Sequence, residues 1–118
     1  MRNIDTYTAL IYADGTEPAA ETGYARAASG KTDAFHLHEV PYRNTIVFPE
    51  IREPGCGLVA GYAIYNSRVG GDLLYLWYFD TPVNVHAGTV PVIHNGKLFL
   101  GVDVSANINI ISANEHSM

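Results

Sequence analysis

The stretch Gly-Tyr-Ala-Ile-Tyr-Asn-Ser-Arg-Val-Gly-Gly-Asp-Leu-Leu-Tyr-Leu-Trp-Tyr-Phe, residues 61–79, consists of two apolar runs separated by a pair of glycines. Tyr, Leu, Ile and Trp fit the pleated, half-buried surface of a β-strand. The paired glycines supply the positive φ angles that a reversal between two twisted strands requires. The stretch therefore predicts an antiparallel β-hairpin with its turn at Gly70 and Gly71.

Further strand-like segments with turn signals between them lie on both sides of this hairpin. Asn95-Gly96 is the strongest two-residue hairpin signal in the chain. The run after it alternates, with Leu98, Leu100 and Val102 on one face. Besides the two hairpin strands at 58–65 and 73–79, the sequence predicts strands at residues 6–13, 23–29, 34–40, 44–48, 83–86, 90–94 and 97–104.

The fold class follows from this succession of short strands. Apolar residues do not recur at helical spacing over three turns in any segment. Only residues 18–29, which are rich in alanine, offer a helical alternative, and Gly23 interrupts it. We therefore predict a single-domain all-β sandwich over residues 1–105. Residues 106–118 are predicted to form a C-terminal edge strand or an inter-subunit arm, because apolar and amide side chains alternate there.

The composition restricts the classes of partner. Of the 118 residues, 47% are hydrophobic and only 16% are charged, against roughly 25% in ordinary globular domains. Such a neutral surface suits contact with other protein chains. The formal net charge of -5 and the scattered basic residues argue against nucleic-acid binding. No apolar run approaches a membrane span, and no signal-like segment begins the chain, so we expect a protein made in a cytoplasm.

An ordered set of motifs resembles a family of small virion proteins of tailed bacteriophages, described as capsid-decoration or tail-fibre proteins. The similarity extends from about Ala9 to Leu100. Its most specific part is the aromatic strand, the Gly-Gly turn and the segment that follows them. The motifs are Ala9-Leu10, Gly23-Tyr24-Ala25-Arg26, Val47-Phe48-Pro49, Gly61-Tyr62-Ala63-Ile64-Tyr65-Asn66, Gly70-Gly71-Asp72-Leu73-Leu74-Tyr75, Pro82-Val83-Asn84-Val85-His86-Ala87-Gly88-Thr89 and Gly96-Lys97-Leu98.

This resemblance implies a sandwich of jelly-roll or immunoglobulin-like character without catalytic activity and without a cofactor. It implies a protein that is incorporated into the virion after synthesis in the host cytoplasm. The implied partners are further copies of the chain, as a homotrimer by analogy, and the major capsid protein or other virion proteins. A capsid decoration or cement protein is the first expectation, and a part of a tail fibre is the alternative.

The predicted hairpin is apolar on both of its faces. Strict alternation along its strands places Tyr65, Tyr75 and Trp77 together on one face, opposite Tyr62 and Ile64. One face is expected to fill the sandwich core, and the other is expected to be covered by a neighbouring chain.

The predicted interface therefore has two parts. The first is the outward half of the hairpin, with Tyr65, Tyr75 and Trp77. The second is the C-terminal arm, with Ile108 and Ile110.

Two other interpretations come from particular side chains. His36 and His38 would share one face of a predicted strand, an arrangement that could supply two ligands to a metal ion, as in a cupin-like metalloprotein. A solvated strand face is the simpler interpretation, and no metal site is predicted.

Exposed aromatic rings could alternatively stack on sugars in an adhesin-type module that binds host glycans. Cys56 is the single cysteine, so the chain has no internal disulfide, and no catalytic residue is predicted.

Overall fold

The computed structural model describes residues 3–104 and 107–111. Strands dominate this part of the chain, and the predicted all-β class is confirmed. Two 3-10 turns, Ala20–Thr22 and Leu37–Glu39, and one short helix, α1 (Val40–Arg43), lie between the strands. The strands are β1 (Ile4–Ile11), β2 (Ala27–Thr32), β3 (Ile46–Val47), β4 (Gly57–Tyr65), β5 (Leu73–Val85), β6 (Val90–His94), β7 (Lys97–Val104) and β8 (Asn107–Ile111).

The strands form two four-stranded sheets in which all pairings are antiparallel. The first sheet has the order β2-β1-β4-β5, and the second has the order β3-β6-β7-β8. One apolar cluster draws side chains from both sheets and fills the space between them, as a sandwich requires. Its members include Leu10, Tyr62 and Ile64 from the first sheet and Ile46, Ile93, Leu98 and Leu100 from the second.

The two predicted hairpins are confirmed. Strands β4 and β5 pair along their length, and Gly70 and Gly71 in the connecting loop have φ angles of 65° and 76°. Strands β6 and β7 have the predicted bounds, and Asn95 and Gly96 between them have φ angles of 54° and 77°. Two consecutive positive φ angles are the property that makes an Asn-Gly pair favourable at such a turn.

Strand β5 is longer than predicted. The sequence predicts separate strands at 73–79 and 83–86, whereas β5 runs from Leu73 to Val85 without interruption. Its second half pairs with the first residues of β4, as Val83 lies opposite Val59 and Val85 opposite Gly57. The register shifts between these two halves, and this irregularity accommodates Pro82 without ending the strand.

The predicted strand at 34–40 is wrong, because this segment forms a turn, a 3-10 turn and the start of α1. The Asp33 carboxylate accepts a hydrogen bond from the backbone N–H of Phe35 at 2.9 Å. Such a local bond competes with strand pairing and favours a turn. Pro41 then fits the first turn of α1, where a missing backbone N–H costs little.

Two other predicted strands are shorter or displaced. The segment 23–29 begins with Gly23 at a φ of 86°, and pairing starts only at Ala27. The segment 44–48 contributes the two-residue strand β3.

The predicted C-terminal edge strand or arm coincides in part with β8. The backbone of β8 pairs with β7 at the outside of the second sheet. The side chains of Ile108 and Ile110 lie outside what the structure describes, as do residues 105–106 and 112–118. Their predicted role in an interface stays a prediction.

Candidate functional site

The register of the central hairpin decides which side chains of β5 share a face. Tyr62 lies opposite Trp77, and Ile64 lies opposite Tyr75. Directly opposed residues in an antiparallel pair project to the same side of the sheet. Tyr62 and Ile64 belong to the core, so Tyr75 and Trp77 project to the core side of the first sheet.

The predicted grouping of Tyr65 with Tyr75 and Trp77 on one outward face is therefore wrong. Each opposed pair from Gly61 to Ile64 joins an even-numbered residue to an odd-numbered one, so residues of different parity share a face. Tyr65 instead projects to the outer side of the sheet. It lies in a row with Tyr7 on one side and Leu73 on the other.

Strand β5 nevertheless carries several exposed apolar side chains. Leu73, Leu76, Trp77 and Tyr78 are 52%, 41%, 46% and 43% exposed, and we call these four residues the β5 edge. Leu76 and Tyr78 lie opposite Ala63 and Gly61 on the outer side, whereas Trp77 lies on the core side. Trp77 is half exposed even though its side chain projects to the core side.

The outer side of the first sheet is closed at its centre by the chain's own residues. Ala9, Ile11 and Ala63 form a buried cluster there, with Tyr65 packed against it. The guanidinium of Arg26 lies over the Tyr65 ring, with 3.7 Å from Cζ to the ring centroid. Tyr65 is thus engaged within the subunit on at least one of its ring faces.

Arg26 is also the centre of a partly buried polar network. Its Nη2 lies 2.7 Å from Glu17 Oε2, and its Nη1 donates hydrogen bonds to the carbonyl oxygens of Ser67 and Gly70 at 2.8 and 2.7 Å. The Tyr24 hydroxyl donates to Glu17 Oε1 at 2.5 Å and accepts from the N–H of Leu10. The network therefore ties the β1–β2 connection and the β4–β5 loop to the first sheet.

The pKa values within this network shift for physical reasons. Burial acts to raise the pKa of Glu17, but hydrogen bonds from Arg26 and Tyr24 and the Arg26 charge outweigh it, so the pKa lies below its ordinary value. Burial and the neighbouring Glu17 carboxylate raise the pKa of Tyr24. Glu17 thus stays ionised and Tyr24 neutral at physiological pH.

This shift makes stability depend on pH. A carboxyl group with a lowered pKa in the folded state stabilises the protein above its unfolded pKa, near 4.5, and loses that contribution as pH falls through the folded value. We expect the free energy of unfolding to fall more steeply between pH 5 and about pH 3 for the natural chain than for Glu17→Gln. Chemical denaturation at several pH values measures the difference, and parallel curves for the two proteins would contradict it.

A second buried polar cluster joins β1 to β2. The Ser29 hydroxyl lies 2.8 Å from the hydroxyls of both Thr6 and Thr8, and Thr6 also donates to the carbonyl oxygen of Gly30. These bonds satisfy the hydroxyls inside the sandwich. Ser29 therefore links the two strands through hydrogen bonds. Its side-chain partners are threonine hydroxyls, which do not act as the base that would activate a serine nucleophile.

The structure does not place His36 and His38 on a strand. His36 precedes the 3-10 turn, with its Nδ1 2.7 Å from Asp33 Oδ1, and His38 lies within the turn near Glu39. The expected common strand face is wrong, because a 3-10 turn does not alternate sides every second residue. Among residues 3–104 and 107–111, no cluster of three or more His, Cys, Asp or Glu side chains is arranged to hold a metal ion.

Cys56 is buried between the sheets. Burial raises the pKa of its thiol, partly opposed by a hydrogen bond with Thr22. Since the thiolate is the nucleophile, this environment makes the group less reactive than a free cysteine.

The sequence did not predict the network of Glu17, Tyr24 and Arg26. Its members lie in loops and at a strand start, and Arg26 contacts carbonyl groups more than 40 residues away in the chain. No local pattern signals such contacts. The one local signal in this region is Gly23, which has a positive φ angle and lies close in sequence to two charged residues.

The comparisons with known proteins bring no match. No family model, no curated protein and no solved structure matches the chain. Within the described residues, no helix is both long and apolar enough to cross a membrane. The resemblance to phage virion proteins therefore stays a prediction that rests on the ordered motifs.

Proposed function

We propose that the chain is a non-enzymatic structural protein of a phage virion, a capsid decoration protein that associates with itself and binds the capsid surface. The observation that carries the proposal is the β5 edge. Four large apolar side chains, among them Trp77 and Tyr78, are about half exposed on the outermost strand of a sheet. Exposed apolar groups clustered in this way mark protein contact surfaces.

The proposed mechanism is adhesion through buried area. Each copy covers its apolar edge against the shell or a neighbouring copy, and a modest contact suffices when many copies engage one lattice. Trp and Tyr are the residues most often found at the energetic centre of such contacts. The low charge content of the chain, 16%, keeps the desolvation cost of the contact small.

The split of the aromatic side chains between two faces bears on the alternative of a glycan-binding adhesin. Trp77 projects to the core side of the first sheet, and Tyr78 projects to the outer side. A sugar ring that stacks on one of them does not reach the other. The surface thus fits contact with a protein edge better than a flat stacking platform.

Binding to the shell can be measured by co-sedimentation with empty heads of the phage that encodes the chain. We expect saturable binding, weakened at least about tenfold by Trp77→Ser, since a central tryptophan contributes about 2 kcal/mol or more. Val69→Ser is the matched control, because Val69 is an exposed apolar residue in the loop between β4 and β5. Absence of binding by the natural chain would contradict the proposed function.

A further inference from the structure

The strongest unpartnered feature of the molecule is the free hydrogen-bonding edge of strand β5. Strand β5 is the last strand of the first sheet, and within the described residues no strand pairs with this edge. An edge strand presents a row of backbone N–H and C=O groups that can pair with another strand. Proteins that stay single protect such edges with charges, proline or short length.

Strand β5 has neither charge nor proline over its first seven residues, and its one irregularity there is the register shift that leaves Leu74 as an extra residue. Residues 73–79 are Leu-Leu-Tyr-Leu-Trp-Tyr-Phe, without a charge or a proline. The charges begin just outside, with Asp72 before the run and Asp80 after it. Within the neutral run, Tyr75 to Tyr78 pair regularly with β4 on one edge, so their other edge can form the same kind of hydrogen bonds with a second strand.

We propose that the β5 strands of two copies of this chain pair antiparallel, edge to edge, and join their first sheets into one continuous sheet. The inference rests on the self-association in the proposed function and names the contact. Antiparallel edge pairing is self-complementary, so a two-fold axis satisfies both copies with one surface. It specifies a dimer contact, whereas the resemblance implies a trimer.

The extent of the neutral run sets the register of this pairing. A symmetric pairing that keeps residues 73–79 of both copies in contact is centred on Leu76. It places Leu76 beside Leu76 of the second copy, and Tyr75 beside Trp77 of the second copy on the core side. One residue further at each end, Asp72 would face Asp80 of the second copy, and like charges directly opposed are unfavourable. The repulsion limits the pairing to the neutral run.

The available area indicates a weak dimer. With about 200 Å² for a large apolar side chain, the four half-exposed residues of the β5 edge offer roughly 350 Å² per copy. A stable interface buries on the order of 800 Å² per partner. We therefore expect a dissociation constant between roughly 10 μM and 1 mM. Higher salt should strengthen the dimer, because it screens the repulsion between Asp72 and Asp80.

The test is sedimentation velocity of the full chain at concentrations up to about 1 mM. The natural chain is expected to shift from monomer to dimer. Leu76→Lys should raise the dissociation constant at least about tenfold, because it places two ammonium groups side by side at the two-fold axis. Val69→Lys adds the same charge to an exposed loop position and should leave the constant unchanged. Circular dichroism establishes that both variants fold.

A second variant keeps the test independent of the lysine. Cβ atoms of opposed residues in an antiparallel pair lie about 5 Å apart. A short thiol cross-linker should therefore join two copies of Leu76→Cys, and should join Val69→Cys no more than the natural chain. The buried Cys56 supplies the background.

Several outcomes would overturn the β5 pairing. These are a natural chain that stays monomeric at every concentration, a dimer that both lysine variants weaken equally, or failure of Leu76→Cys to cross-link. A trimer unaffected by Leu76→Lys would overturn the pairing and leave self-association standing. A Leu76-dependent dimer that does not bind phage heads would instead overturn the proposed function and leave the pairing standing.

Discussion

Replacing Arg26 with methionine is expected to lower the free energy of unfolding by about 2–3 kcal/mol. The Arg26 side chain is 8% exposed and that of Glu17 is 24% exposed, so the variant leaves a partly buried carboxylate without its cation. The carbonyl groups of Ser67 and Gly70 also lose their donor. Methionine keeps an apolar stem but lacks the guanidinium that lies over the Tyr65 ring, so the loss includes that cation–π contact as well as the hydrogen bonds.

The prediction is checked by chemical denaturation of four proteins in a double-mutant cycle. The double variant Arg26→Met with Glu17→Gln is expected to lose less than the sum of the two single variants, because removing both charges leaves neither uncompensated. Arg43→Met is the matched control, since its pair with Glu39 is 51% and 38% exposed and should contribute under about 1 kcal/mol. Equal losses for Arg26→Met and Arg43→Met would contradict the buried network.

Replacing Gly61 with alanine is expected to cost about 3 kcal/mol, or to prevent folding. A Cβ at residue 61 would collide with the backbone carbonyl of Trp77 on the neighbouring strand and lie 2.9 Å from the Cα of Tyr78. Backbone atoms cannot rotate aside as a flexible side chain does. The hairpin would therefore have to separate at its centre, where Tyr62 and Ala63 are buried.

The control for this prediction is Gly88→Ala. Gly88 has a φ of 87°, but a Cβ there meets nothing within 4 Å. Only the left-handed backbone is strained, at a cost of about 1–2 kcal/mol. Thermal and denaturant unfolding of both variants measures the difference. A loss for Gly61→Ala no larger than that for Gly88→Ala would contradict the close approach of the two strands.

Much of the fold could be predicted from local sequence, wherever a turn required a particular residue type. Asn95-Gly96 fixed the bounds of β6 and β7, because few other residues adopt two consecutive positive φ angles. The long aromatic runs likewise predicted β4 and the first half of β5. The segment 34–40 was wrongly predicted as a strand, because a single carboxylate, Asp33, favours a turn in a run that is otherwise strand-like.

The candidate surface was predicted in part. The sequence predicted the hairpin as a contact surface, which stays a prediction, and Trp77 is about half exposed. It did not identify Leu76 and Tyr78, which lie on the outer side of the sheet. It also did not anticipate that Arg26 covers Tyr65.

The sequence by itself determined the secondary structure around the strong turns and the all-β class, because backbone conformation at Gly and Asn-Gly positions is a local property. Only the tertiary structure decided which faces the side chains of β5 occupy and which edge is left open. Faces depend on the register between two strands, and a shift of one residue reverses them. The edge depends on the order of strands in the sheet, which is set by contacts between residues far apart in the chain.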